Sequence, residues 1–286
     1  MPLHPRSAFS GSFGPSGPSD PFDREVTAMS VLTIPGPLPD AARPDVGAAL
    51  FSTWSVGTPE RQRAAVEAIA ATWDSRPWPA PELLSYTVYA GTDGDTLMHH
   101  SQWADEAAYH VFFRTRRQER NDAIDSAVPD IKRLGLSSYQ RYRSFSAPAA
   151  QADGADPGLF VVAETDFDDA DPRLRRNWVD LVVEALESEP DPGLLSADFH
   201  LIVDGERHLS TDRARVLSYA RWTGAEAYEA AMAAEAPRAG SSAWGRVRAF
   251  PGLVGSASRR YHFRRSFVPA SKSAPEFTNS PAGTAE

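Results

Sequence analysis

Two adjacent histidines, His99-His100, stand just before Trp103, and Tyr109 follows six residues after that tryptophan. Imidazole is the side chain that titrates near neutral pH, so either histidine could serve as a general base. In an extended chain alternate side chains share a face. His99 therefore shares its face with Trp103, and His100 takes the opposite one, which favours His99 as the base. The Trp103 indole offers a flat wall and one N–H donor, and Tyr109 offers a phenolic O–H. Tyr86, Tyr89 and Phe112 add aromatic surface nearby. Each of these residues would serve as readily in core packing.

Other chemistries are poorly represented. The chain has no cysteine, which removes disulfides, thiol nucleophiles and thiolate zinc sites. Its seven histidines show no HxH or HxxxH ligand pair, so no metal site is expected. No GxGxxG or Walker loop occurs. Asp93-Gly94-Asp95 looks like a fragment of a calcium loop but reads as a hairpin turn. A net charge of −9 argues against a broad nucleic-acid interface. No apolar run approaches the eighteen residues of a membrane span, and the first residues lack a signal-peptide core, so a cytoplasmic protein is expected.

The elements that must position these residues occur twice. Pro81-Glu82-Leu83-Leu84-Ser85 reappears as Pro192-Gly193-Leu194-Leu195-Ser196. Gln102-Trp103-Ala104-Asp105-Glu106-Ala107-Ala108-Tyr109 reappears as Arg221-Trp222-Thr223-Gly224-Ala225-Glu226-Ala227-Tyr228. In the first copy, strand-like Gly47–Trp54 leads to Thr58-Pro59, a cap and first helical residue. Val66, Ile69, Ala70 and Trp73 then form one helical face. Strands over 83–90 and 96–103 flank the Gly91–Asp95 turn, a helix begins near Asp105, and 137–145 closes the unit. Arg114–Arg120 reads as a solvated helix face. In the second copy, Leu159–Thr165, a helix from Asp171-Pro172, strands 194–203 and 215–222, a helix over 225–234 and a strand over 256–267 follow the same order, with an extra loop near 206–213.

The division expected is a disordered segment over 1–43 with one ordered piece at Val31–Ile34, a domain over 44–145, a linker over 146–156, a second domain over 157–268 and a disordered tail over 269–286. Each unit is β-α-β-β-α-β, the ferredoxin-like order. Both sheet faces are apolar, so both need cover. The fold class expected is α+β: two tandem ferredoxin-like domains packed sheet to sheet as an intrachain pseudo-dimeric α+β barrel, with the site in its inner hollow.

The doubled Trp-to-Tyr stretch resembles the antibiotic biosynthesis monooxygenase family of the dimeric α+β barrel superfamily, over about 45–145 and 157–268. The resemblance implies an oxygenase of aromatic polyketide biosynthesis, converting a polycyclic phenol, naphthol or anthrone to a quinone or hydroxylated product. O₂ would be co-substrate, with no bound cofactor. Related members that open an angucycline ring take reduced flavin (FAD or FMN) as co-substrate, which would bring in a flavin reductase as partner. The family's Asn four residues before the Trp is His99 here and Ser218 in the second copy, so the copies differ. On this reading His99 is the base, Trp103 the wall or N–H donor, and Tyr109 a hydrogen-bond donor. Tyr86, Tyr89, His100, Phe112, His200, Trp222 and Tyr228 would contact the substrate. Arg141, Arg259 and Arg260 could meet a carboxylate or a flavin phosphate. Two other readings stay open: a non-catalytic barrel that holds a polyketide for a partner oxygenase, and heme handling. A homodimer is compatible with the sequence.

Overall fold

The structure is a computed structural model, and it describes residues 31–34, 38, 40–41, 43–148, 157–169, 171–202, 214–235 and 243–270. Most of the 1–43 segment, residues 149–156 of the linker, the loop near 206–213 and the tail beyond residue 270 lie outside the described residues. The strands are β1 (Val31–Ile34), β2 (Ala48–Ser55), β3 (Leu83–Gly91), β4 (Thr96–Trp103), β5 (Lys132–Ser146), β6 (Leu159–Phe167), β7 (Leu194–Ile202), β8 (Ala214–Trp222) and β9 (Leu253–Pro269). The helices are α1 (Pro59–Asp74), α2 (Glu106–Thr115), α3 (Arg117–Ala127), α4 (Pro172–Ser188), α5 (Ala225–Glu235) and α6 (Ala243–Arg248). No helix among the described residues is long and apolar enough to cross a membrane.

Local signals explain the element starts. The Thr58 side chain accepts from the Arg61 N–H ahead of Pro59, and the Asp171 carboxylate accepts from the Arg173 N–H ahead of Pro172. Gly94, at φ 73°, turns the β3–β4 hairpin. The acidic groups of that turn are already used. Asp93 accepts from the Asp95 and Thr96 N–H groups, and Asp95 from the Val56 and Gly57 N–H groups. The hairpin reading of this stretch holds, because its carboxylates are committed to the backbone.

The sheet runs β1-β9-β3-β4-β2-β5-β7-β8-β6, and a further β9–β6 pairing closes it. The chain therefore forms the expected barrel from its own two halves, β3-β4-β2-β5 and β7-β8-β6-β9. The seams are made by the last strand of each half. β5 pairs with β2 over its first part and with β7 from Tyr139 to Ser146. β9 pairs with β6 up to Tyr261 and with β3 from Tyr261 to Phe267. These two strands are longer at both ends than their sequence signals, and α6 had none. Each long strand leaves its own half at a tyrosine and finishes in the other.

Three apolar layers result. One lies between the first-half sheet and α1–α3 and includes Leu50, Trp54, Ile69, Trp73, Leu97 and Trp103. A second lies between the other half-sheet and its helices, around Trp178, Val182, Phe199 and Trp222. The third fills the barrel with Phe51, Tyr89, Met98, Tyr139, Phe160, Leu217, Tyr219 and Tyr261. Burial of each large side chain contributes about 1.5–3 kcal/mol, so both faces of the sheet hold the fold together.

Candidate active site

Strand parity sorts the candidate residues, and it divides them between two layers. In β4, Leu97, His99 and Trp103 point toward the helices, while Met98 points into the barrel. In β3, Tyr86 and Val88 take the helix side and Tyr89 the barrel side. His99, Trp103, Tyr109, Tyr86 and Phe112 come together around a cavity of about 80 Å³ between the first half-sheet and α1–α3. The expectation that this group faces the barrel hollow is corrected. Both faces of these strands are apolar, so parity showed which residues go together but not which layer receives them.

Tyr89, His100 and His200 lie in the barrel layer instead. The His100 ring stacks on Phe51 with centroids 4.4 Å apart, and His200 meets the edge of Phe51 at 5.4 Å. The Tyr89 and Tyr219 hydroxyls are 2.8 Å apart. These rings fill the middle of the barrel, and the backbone of the sheet separates them from His99. Trp222 and Tyr228 pack together in the second half, centroids 5.3 Å apart, matching the Trp103–Tyr109 contact at 5.5 Å. They line the helix side of their own half, not the cavity around His99.

His99 is held between Tyr86 and Trp54. Its Nδ1 lies 2.6 Å from the Tyr86 hydroxyl, and its ring is 4.1 Å from that of Trp54 and parallel to that of Tyr86. Tyr86 in turn stacks on Trp73. Burial pushes the His99 pKa down to about 3, and the charges of Arg117 and Arg133 push the same way. Burial also raises the Tyr86 pKa, so its phenol keeps its proton. If Tyr86 donates to Nδ1, that hydroxyl is satisfied and the His99 proton sits on Nε2. The reverse arrangement would leave the Tyr86 proton without an acceptor, so the first tautomer is the resting one.

His99 Nε2 then has no protein partner, and neither do Trp54 Nε1 or Arg120 Nε and Nη1. All three residues line the cavity, at 4 %, 5 % and 6 % exposure. A buried donor without an acceptor costs about 1–3 kcal/mol. Every one of these atoms is a donor, so the cavity suits a ligand rich in acceptor oxygen.

Arg120 is anchored by Nη2 donating to the Pro77 carbonyl at 2.7 Å, and its guanidinium lies over Trp73 at 4.7 Å. Burial brings its pKa down to about 10 and also lowers that of Arg117, and a pKa of about 10 still leaves Arg120 charged at neutral pH. Trp103 Nε1 donates to Ser101 Oγ at 3.0 Å, so this indole serves as a wall and not as a donor to a ligand. The Tyr109 pKa is pushed up to about 12, chiefly by burial.

The basic stretch over 114–120 is therefore not wholly solvated. Arg114 and Arg116 are exposed, but Arg117 is half-buried and Arg120 is buried in the cavity wall. The signal that could have found them is their spacing with Ile124, which places all three on one helical face. Trp54 and Trp73 were likewise not singled out as site residues. Arg260 pairs with Glu229 at 2.9 Å, and the Arg141 Nη1 donates to Ser144 Oγ at 3.0 Å. No group of three or more His, Asp or Glu side chains that could hold a metal occurs among the described residues.

No protein-family model matches the chain, and no curated relative does. Solved structures do resemble it. An anthrone oxidase-like protein superposes with a TM-score of 0.61 at 19 % identity, over 80 % of this chain and 95 % of its own. A candidate monooxygenase from Lactobacillus acidophilus gives 0.47 at 8 %, over 78 % and 96 %. A chlorite dismutase from Candidatus Nitrospira defluvii gives 0.45 at 10 %, over 76 % and 90 %. The first of these shows the fold. The chain shares the ferredoxin-like α+β fold of the anthrone oxidase-like protein, closed here as a barrel within a single polypeptide.

Proposed function

We propose that the chain is an oxygenase that oxidises a planar phenolic or anthrone-type polyketide with O₂ in the cavity around His99. The observation that carries this reading is the set of buried donors on His99, Trp54 and Arg120, facing a cavity walled by Trp73, Trp103 and Phe112. Flat walls suit a fused-ring body, and the donors suit an oxygen that becomes negative. The fold shared with an anthrone oxidase-like protein supports the same substrate class.

The chemistry needs an electron-rich anion, because an enolate or phenolate gives an electron to O₂ far more readily than the neutral form. The cationic Arg117 and Arg120 favour ionisation of a bound phenol or anthrone. A histidine with its pKa near 3 is a weak base by itself. In the resting tautomer Nε2 already carries the proton and donates to the oxygen that becomes anionic. His99 takes the substrate proton at Nε2 only from the other tautomer, in which Nδ1–H donates to the Tyr86 oxygen and Nε2 is free to accept. The carbanion and O₂ combine to a peroxide, which is protonated. Loss of the remaining C–H proton and cleavage of O–O release water and leave a carbonyl. For an anthrone the balance is one CH₂ and one O₂ to one C=O and one H₂O.

At about 80 Å³ the cavity is narrow for three fused rings. A three-ring substrate therefore requires the helical wall to open, and α2 and α3 already break at Arg116, where α3 begins without a side-chain cap. The test is O₂ uptake and quinone formation from a hydroxyanthrone by the purified chain with nothing else added. Turnover supports the reading. Turnover only with FAD or FMN and a flavin reductase would assign it to the flavin-using class. Tight binding without turnover in either condition would make the chain a polyketide-holding barrel.

A further inference from the structure

A second cavity lies on the opposite face of the sheet, at one mouth of the barrel, where both long strands cross between halves. Its volume is about 240 Å³, three times that of the cavity around His99 at about 80 Å³. The floor is apolar: Phe51, Met98 and Leu217. The wall carries a buried polar group with nothing to bind. Tyr139 is 0 % exposed, and its hydroxyl lies near Ser137 and Arg215 without a well-formed hydrogen bond to either. Arg215 is fixed in place, its Nε 2.8 Å from Asp166 and its Nη1 3.2 Å from Glu164.

Arg259 is different. On β9, Arg259 and Tyr261 line the cavity, whereas Arg260 points outward to Glu229. No carboxylate among the described residues forms an ion pair with Arg259. Asp93 feels its charge, but the Asp93 oxygens are taken by the Asp95 and Thr96 N–H groups and the Thr96 hydroxyl. A greasy floor, an uncommitted guanidinium and an unused phenol make a site for a flat acid.

We propose that this mouth binds a small aromatic carboxylate, with its ring on Phe51, Met98 and Leu217 and its carboxylate between Arg259 and the Tyr139 hydroxyl. The site lies across the sheet from the oxygenase cavity, with Leu136 lining both, and does not rest on the reaction assigned there.

The probe is 2-naphthoate, titrated into the full-length chain by calorimetry. Saturable binding is expected. Arg259→Gln, a change at an exposed position, should weaken it at least tenfold, and 2-naphthol, which lacks the carboxylate, should bind at least tenfold more weakly. Leu217→Trp, checked for folding by circular dichroism, should abolish it by filling the floor. Ser52→Trp, which fills the other cavity, should leave Kd within twofold. No saturable binding up to millimolar probe, an unchanged Kd in Arg259→Gln, or loss of binding in Ser52→Trp would each overturn the assignment.

Discussion

The two halves share one backbone plan and use it differently. Trp103 pairs with Ala48 and Leu83 across its neighbouring strands, and Trp222 pairs with Leu159 and Leu194 in the same way. What differs is side-chain volume between sheet and helices. The first half has Tyr86 and His99 where the second has Ala197 and Ser218. It has Ala65 and Val88 where the second has Trp178 and Phe199, both buried in the second core. The first half thus carries Tyr86 and His99 at the cavity rim, while indole N–H groups without partners occur in both halves, on Trp54, Trp178 and Trp222. The second carries its rings in the middle of the layer, where they act as filling. The same fold holds a site or a core according to where a few aromatic groups are placed. On this account the second half does the work of a second subunit: it closes the barrel and supports β3 and β5 at the seams.

The largest effect that bears on this contrast comes from acid. His99 and His100 in the first half have pKa values of about 3, and His200 in the second about 4, all below the ordinary 6.5 because burial opposes charge. Below pH 6.5 the unfolded chain gains protons that the folded chain refuses. Stability from these groups is therefore complete above that pH and is lost as pH falls toward 4, by roughly 1.4 kcal/mol per pH unit for each histidine. Urea unfolding at pH 7.5, 6 and 5 should show the decline. Replacing His99 and His100 together with Asn should flatten it more than His200→Asn does. Equal flattening would mean that only one of His99 and His100 is kept neutral by burial.

Removal of filling should come next. Trp178→Ala should cost about 3–5 kcal/mol in urea unfolding, as expected for an aromatic in a close-packed layer. Trp54→Ala, beside an existing cavity, should cost roughly half as much. Similar losses would contradict the distinction between core and site.

In the oxidation assay, Arg120→Met should lower kcat/KM about 100-fold, or roughly 2.7 kcal/mol, through loss of the buried cation. Ser218→Ala, the change at the position matching His99, should leave it within twofold. Tyr86→Phe should have an effect between these two. It frees His99 Nδ1 without removing charge, and kcat/KM should fall about three- to tenfold.

Much of this architecture was legible in the sequence, for physical reasons that can be named. The Thr58-Pro59 and Asp171-Pro172 starts have one satisfactory local structure, and the face formed by Val66, Ile69, Ala70 and Trp73 allows one periodicity. The repeated Trp-to-Tyr stretch indicated the duplication, and both apolar sheet faces indicated a closed barrel. His99 and Trp103 were expected on one face, and they are. The layer that receives them was not legible, because Tyr86 and Tyr89 make both faces of β3 aromatic. Nor were the full lengths of β5 and β9. What makes the added ends strands is pairing far away in the chain: 132–136 of β5 with β2, and 253–255 and 268–269 of β9 with β6 and β1. Arg120 was missed because arginines in a helix usually face water. Its place is set by Pro77 and Trp73, which come from another element.

The most direct test of the central claim is the position of a bound ring. In crystals grown with a hydroxyanthraquinone product, density for the fused rings should lie between β4 and α2–α3, with an oxygen within hydrogen-bond reach of Arg120 and His99 Nε2. Density for the same rings inside the barrel, or between the second half-sheet and its helices, would contradict it.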